Sequence, residues 1–262
     1  MSDQPGNCMA IEVRQLTKVF RLHHRGTLKS AVGRLVKGLA KKDHIEQFTA
    51  LRDITLSVPH GQTVAVIGRN GSGKSTLLGL LARVYRPTSG SVRLLAADGS
   101  AARVAPLLEL GAGFHHELTG LENIRFYGAL LGMTAVQLRD RTAPIVEFAE
   151  LTEKIDTPLY GWNDGAKLRL GFSIAVHTDP DILLVDEVLA VGDEAFQNKC
   201  YRLIGDLQRR QKTILFVSHD LAVVERVANR IIWLNKGEIV MDGDVATVLA
   251  AYRAESSQDR PA

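Results

Sequence analysis

Gly68-Arg69-Asn70-Gly71-Ser72-Gly73-Lys74-Ser75-Thr76 fits G-x-x-x-x-G-K-[ST], the spacing of a phosphate-binding loop. The three glycines let the backbone turn tightly and bring its N–H groups close to a polyphosphate. Lys74 would reach the β- and γ-phosphates and the Ser75 hydroxyl would hold Mg²⁺. The flanks agree with that reading. Thr63-Val64-Ala65-Val66-Ile67 is an apolar, β-branched run of the kind found in buried strands. Thr76 to Ala82 opens a helix whose N-terminus places partial positive charge beneath the phosphates. An ordinary glycine-rich turn does not account for Lys74-Ser75.

Upstream, Ile11-Glu12-Val13 begins a short strand that ends at Phe20, and Leu51 to Val58 alternates like a second. Between them, segment 21–47 carries seven basic and two acidic residues, a net +5 against +3 for the whole chain. The remainder is therefore −2, which argues against a broadly basic nucleic-acid surface. Within the segment, Leu28, Ala31, Val32, Leu35, Val36, Leu39 and Ala40 fall on one helical face, with Thr27 as N-cap. Lys29, Arg34, Lys37 and Lys41 occupy the other face. Gly33 and Gly38 weaken such a helix by about 1 kcal/mol each, so it needs a surface to lie on. That surface is either its own domain or anionic lipid at the membrane–cytosol boundary.

Downstream, 121–131 and 134–151 read mostly as helix. Thr134 and Gln137 have capping-box spacing, and Pro144 ends or kinks the second stretch. Ile182 to Val185 and Thr213 to Val217 read as buried parallel strands with a helix near 194–210 between them. Arg230 to Leu234 and Glu238 to Met241 form a hairpin around Asn235-Lys236-Gly237. The tail from about Glu255 is polar and frayed.

Composition sets outer limits. The 262 residues, 45% hydrophobic and 23% charged, suit one large globular domain or a core with an inserted subdomain. Cys8 and Cys200 form no disulfide framework, which points to a reducing cytosol. No apolar run approaches the ~18 residues of a membrane span, and no signal pattern opens the chain.

Strand Ile182–Val185 delivers Asp186-Glu187, the carboxylate pair that completes a phosphate-loop ATPase. Asp186 would bind Mg²⁺ through water, and Glu187 would act as general base toward the attacking water. Strand Ile214–Val217 delivers Ser218-His219-Asp220, which brings His219 within reach of a γ-phosphate. His115-His116 and His23-His24 lack metal-ligand spacing.

The order of phosphate loop, helical insert, Asp-Glu strand and Ser-His strand resembles an ABC-type ATPase subunit. Three stretches resemble the ATP-binding subunits of bacterial polysaccharide, O-antigen-type and teichoic acid exporters: Glu109 to Gly120, Asp186 to Asp193, and the basic insert before Ala50-Leu51-Arg52-Asp53. The resemblance runs from about Ile11 to Tyr252. It implies an α/β fold, a P-loop NTPase core with a mostly parallel sheet, an antiparallel β-subdomain and an inserted helical subdomain. The core would span 11–110 and 179–252, the helical subdomain 111–178, and a polar tail 253–262.

The resemblance also implies roles. Phe20 matches the aromatic that stacks on adenine, with an ordinary core position as the alternative. Glu109, or Leu110 one residue on, matches a loop that usually carries Gln and contacts Mg²⁺. Asp193 matches the loop at which two subunits meet. The signature loop, Leu-Ser-Gly-Gly-Gln in the family or Tyr-Ser-Ser-Gly-Met in this exporter branch, falls on Trp162-Asn163-Asp164-Gly165-Ala166. Asn163 can still donate to a γ-phosphate and Gly165 is kept, but a carboxylate at Asp164, about 5 Å from a phosphate, adds roughly 3 kcal/mol of repulsion at an effective dielectric near 20 unless it points outward. Slow basal hydrolysis follows.

The implied protein binds ATP and Mg²⁺, dimerises head to tail, and works with separate integral-membrane permease subunits at the cytoplasmic face of the inner membrane. The surface near 109–131 would dock them. Some exporters of this branch carry a C-terminal carbohydrate-binding domain. The chain stops soon after the hairpin, so that domain is expected to be absent. A soluble non-transport ABC-type ATPase and a regulatory nucleotide-binding module with little turnover are the alternatives.

Overall fold

The computed structural model describes residues 9–23, 45–108, 113–186 and 193–258. Its centre is a six-stranded sheet. In chain order the strands are β3 (Thr63–Ile67), β5 (Val104–Leu107), β6 (Ile182–Asp186), β7 (Thr213–Val217), β8 (Arg230–Asn235) and β9 (Glu238–Gly243), arranged β5-β6-β7-β3-β8-β9. Every neighbouring pair is parallel except the β8–β9 hairpin. All five residues of β3 and of β7 are buried, as expected of strands covered on both faces.

Alternation sorts those strands between two cores. Ala65, Ile67, Leu183, Val185, Ile214 and Phe216 face one side. There they meet α4 (Asp164–Val176), α5 (Glu194–Arg209), α6 (Leu221–Val227) and α7 (Val245–Gln258), through residues such as Phe172, Phe196, Val224 and Val248. Val64, Val66, Ile182, Leu184, Leu215 and Val217 face the other. That side holds α1 (Lys74–Leu81) and an antiparallel sheet of order β2-β1-β4, built from β1 (Met9–His23), β2 (Ile45–Pro59) and β4 (Ser89–Leu94). The helix that follows the phosphate loop is therefore sandwiched between two sheets. The α/β class, the mostly parallel sheet and the antiparallel sheet agree with the sequence reading.

A third apolar cluster lies apart, around Ile124, Tyr127, Ile145, Leu159, Trp162 and Leu170. It joins α2 (Gly120–Leu130), α3 (Ala135–Ala149) and one face of α4. Both entering helices carry capping boxes, Thr119–Glu122 and the expected Thr134–Gln137. Buried Asn123 ties α2 to the loop before it. Its Nδ2 donates to the carbonyls of His115, Leu118 and Thr119, and its Oδ1 accepts the His115 amide.

Several boundaries differ from the sequence reading. β1 and β2 run well past Phe20 and start before Leu51, because Arg21, Leu22 and His23 pair with Gln47, Glu46 and Ile45. Ladder hydrogen bonds extend a hairpin without any hydrophobic alternation to announce it. The amphipathic stretch Leu28–Ala40 lies outside the described residues. Pro144 does not end α3, which continues to Ala149. The helical bond that Pro144 removes belongs to the carbonyl of Asp140, and both residues are exposed, so the loss falls on the solvent-facing side of the helix. Where a frayed tail was expected, α7 runs to Gln258. Asp244 accepts the Thr247 amide at its start, Val248 and Leu249 are buried, and Tyr252 meets Trp233 edge to face at 5.3 Å.

Candidate functional site

β6, β7 and β3 are adjacent and parallel, with Asp186 level with Val217, and Val217 level with Val66. The segments that leave their carboxyl ends therefore emerge side by side: Asp186, then Ser218-His219, then the loop from Gly68. This is where open α/β sheets bind ligands. A cavity of about 550 Å³ opens there. Asn70, Gly71, Gly73, Lys74, Ser75 and Thr76 form one wall. Asp186 and Leu108 form another, and Phe48 and Ala50 of β2 close it.

The loop's glycines have different reasons. Gly71 has φ +79° and open space where a Cβ would sit, so its bareness faces the ligand side. Gly68 and Gly73 are pressed against the protein's own backbone. A Cβ on Gly68 would lie 2.2 Å from the Leu234 carbonyl oxygen, and one on Gly73 would lie 2.8 Å from that of Ala50. All three have positive φ, in keeping with the tight turn read from the sequence, and at Gly68 and Gly73 close backbone packing adds a second reason.

Lys74 is 7% exposed, and its Nζ donates to the carbonyls of Gly68 at 2.7 Å and Arg69 at 3.1 Å. The ammonium is thus held inside the curl of the loop, where a polyphosphate would lie. Arg69 is exposed beside it. Ser72 is buried, with its Oγ lacking a hydrogen-bond partner. No side chain caps α1 at Gly73, which leaves its first-turn amides and dipole to an anion. Ser75 and Asp186 bring one hydroxyl and one carboxylate to the same cavity. That donor set fits Mg²⁺, which keeps several waters and shares phosphate oxygens with one or two carboxylates. Among the described residues no group of three or more His, Cys, Asp or Glu gathers as a metal cluster.

The structure brings some predicted residues together and separates others. His219 is exposed, two residues past the end of β7, and is not among the residues that line the cavity. Its neighbour Ser218 accepts the Asp220 amide at 3.0 Å, and Asp220 caps α6. Phe20 is not on the cavity wall. Its ring meets Tyr85 edge to face at 5.4 Å, with the Lys18 ammonium 4.8 Å from its centroid. Tyr85 in turn lies on Gly79 of α1, where a Cβ would be 2.7 Å from the ring. Phe48, the cross-strand partner of Phe20, lines the cavity and is 52% exposed. The sequence reading passed over Phe48; an exposed aromatic on the strand leading to the phosphate-loop strand was the available signal.

The segment Trp162–Ala166 lies at the start of α4. Trp162 is buried, with its Nε1 donating to Thr157 Oγ1 at 2.9 Å. Asn163 is the N-cap. The Asp164 side chain is 95% exposed, 3.6 Å from the Lys167 ammonium. Gly165 has ordinary backbone geometry, and a Cβ on it would find only Asn163 Oδ1 within 4 Å, at 3.7 Å. The chain's own packing does not require a glycine there. Asp193 caps α5, its Oδ1 accepting the Phe196 amide at 2.9 Å. Glu187, Glu109 and Leu110 lie outside the described residues.

Comparison with known proteins agrees with this geometry. The ABC transporter family profile matches residues 51–190. The chain is 43% identical over 253 residues to the O-antigen export system ATP-binding protein RfbB of Myxococcus xanthus, covering 95% of this chain and 56% of that protein. It is 41% identical over 251 residues to an RfbB of Klebsiella pneumoniae, covering 93% of this chain and 97% of that one. Among solved structures, the dimeric ATP-binding cassette MJ0796 with ADP and Pi superposes with a TM-score of 0.71 at 22% identity, covering 90% of this chain and 98% of that chain. That likeness bears on the fold alone. With the phosphate loop and the aspartate-terminated strand meeting at one cavity, and the serine–histidine segment leaving the strand between them, this chain belongs to the ABC transporter family as one of its ATP-hydrolysing members.

Proposed function

We propose that this chain is the ATP-hydrolysing subunit of an exporter that moves a lipid-linked cell-surface polysaccharide, of O-antigen, capsule, galactan or teichoic acid type, across the bacterial cytoplasmic membrane. The observation that carries the catalytic half is the convergence of Lys74, Ser75 and Asp186 on one cavity. The cargo class is supported by 41–43% identity to O-antigen export ATP-binding proteins over more than nine-tenths of this chain.

In this reading the loop amides and Lys74 grip the β- and γ-phosphates, and Ser75, Asp186 and Glu109 are the residues that would hold Mg²⁺. Bound Mg²⁺ would neutralise the charge that develops on the phosphates. Glu187 takes a proton from the attacking water, and His219 orients the γ-phosphate. Two copies stack head to tail, so that Asn163 and Gly165 of one approach the nucleotide held by the other, and Asp193 lies at the seam. The open space beside Gly165 supports a close approach by another molecule. Residues 111–178 form the helical subdomain. Exposed Phe126, Leu130 and Tyr160 suit it to dock membrane-embedded permease subunits. No helix among the described residues is long and apolar enough to cross a membrane, so the translocation path belongs to those partners.

The test is to purify the chain together with a multi-span membrane protein that co-purifies with it, reconstitute both in liposomes, and measure ATP hydrolysis and glycolipid movement. Glu187→Gln should bind ATP and abolish both. Normal turnover in that variant removes Glu187 as the base. Turnover without glycolipid movement in the native pair removes the export assignment.

A further inference from the structure

We infer that Gly237, in the turn between β8 and β9, is a positioning residue for the phosphate loop: its backbone ties that loop to β2 and sets the direction of a phosphate-facing amide. The inference rests on loop 68–76 being the nucleotide site and adds a residue from a distant part of the chain.

One residue makes both links. The Gly237 N–H donates to the Ser72 carbonyl at 3.0 Å, and the Gly237 carbonyl accepts the Arg52 N–H at 2.8 Å. The Ser72 carbonyl and the Gly73 N–H share one peptide plane and point in opposite directions, because a trans peptide is planar. Drawing the Ser72 carbonyl toward the hairpin therefore aims the Gly73 N–H away from it. Gly73 lines the nucleotide cavity and is the first residue before α1.

The approach is backbone to backbone. Gly237 has φ +82°, and a Cβ on it would lie 2.7 Å from the Ala50 carbonyl oxygen and 3.1 Å from the Ala50 carbonyl carbon. A Cβ on Gly73 would meet the same Ala50 oxygen at 2.8 Å and the Gly237 Cα at 3.6 Å. Three segments thus meet backbone to backbone, with the Leu51 side chain packed beside them, 2.6 Å from the Gly73 Cβ position. The other end of the loop is held by the same hairpin, since Gly68 sits against the Leu234 carbonyl, three residues before Gly237. A loop clamped at both ends keeps its amides aligned before the ligand arrives, which reduces the ordering cost of binding.

A turn glycine needed only for its positive φ would behave differently, and Gly99 supplies the control. It has φ +80° and nothing within 4 Å of its Cβ position. The experiment compares Gly237→Ala, Gly237→Asn and Gly99→Ala in the full chain, measuring MgATPγS affinity by titration calorimetry and Tm by scanning calorimetry. Asn tolerates positive φ yet carries the intruding Cβ, so it separates backbone strain from close approach. Both Gly237 variants should bind MgATPγS at least tenfold more weakly than the native chain. Gly99→Ala should lose Tm and bind within twofold of native. Native-like affinity in Gly237→Asn overturns the inference. Failure of the native chain to bind would overturn the nucleotide site instead. If the Gly237 variants do not fold, amide exchange in the native chain decides: MgATPγS should slow exchange of the Gly237 amide at least tenfold, and an unchanged rate overturns the role.

Discussion

Asn163 accepts the Ala166 amide through its Oδ1 at 2.8 Å and so caps α4, at the position proposed to hold the serine of the signature segment. Its Nδ2 still carries protons to donate. Asn163→Ser should therefore keep both roles and leave ATP turnover within about threefold. Asn163→Ala loses the cap, worth ~1 kcal/mol of stability, together with the donor. Its turnover should fall at least tenfold, and a steady-state phosphate-release assay on the two variants checks the contrast.

Asp164 next to it points into solvent and faces Lys167 at 3.6 Å. The repulsion of roughly 3 kcal/mol at a dielectric near 20 shrinks to about 0.8 kcal/mol at the dielectric of water, and the exposure of this side chain selects the smaller figure. Asp164→Gly is accordingly expected to raise basal ATPase activity by up to about fourfold. An unchanged rate would remove the idea that Asp164 slows hydrolysis. A rise well beyond tenfold would mean that the carboxylate faces the phosphate in the dimer.

Phe48 and Phe20 stand across from each other on β2 and β1, yet only Phe48 lines the cavity. Stacking of a base on an aromatic ring contributes about 1–3 kcal/mol. Phe48→Ala should raise the KM for ATP by about tenfold with little change in kcat. Phe20→Ala should lower Tm through loss of its contact with Tyr85, an edge-to-face pair worth about 0.5–1.5 kcal/mol. The opposite pattern in KM would return the adenine platform to Phe20.

Acid sensitivity should come from the other end of the sheet. Asp179, with φ +54°, receives Lys212 at 3.2 Å, Arg103 at 3.8 Å and a short contact from Arg210. Burial pushes its carboxyl up, but the Lys212 hydrogen bond and the three cationic charges outweigh burial and hold it below its ordinary value. A carboxyl depressed by folding stabilises fully above the unfolded value of about 4, and loses that contribution as pH falls through the folded one. Tm should therefore drop below about pH 4 in the native chain. Asp179→Asn should start lower at pH 7 and lose less on acidification.

Cys200 is buried in the main core, and burial pushes its thiol up to about 12. The thiolate is the reactive form, so Cys200 should resist a maleimide at pH 8 in the folded chain and react once denaturant is added. Mass spectrometry of the labelled peptide reads this directly, and labelling without denaturant would mean that α5 opens locally.

The sequence by itself determined the elements whose signal is local. Val64 to Ile67 and Ile214 to Val217 announced buried parallel strands because apolar β-branched runs have few other places to go. Gly68 to Thr76 and Asp186 announced a nucleotide site because their chemistry is tied to short spacings. Thr134 and Gln137 announced a helix start for the same reason. Tertiary structure alone decided what depends on segments far apart in the chain. β1 and β2 lengthen through pairing with each other, and α7 packs on the sheet through Tyr252 against Trp233 and continues a few residues past Glu255. Gly68 and Gly73 are pressed against the carbonyls of Leu234 and Ala50, and Phe48 rather than Phe20 reaches the cavity. Each of these is fixed by a contact across many residues, where backbone packing and shape, rather than residue type at a given spacing, hold the information.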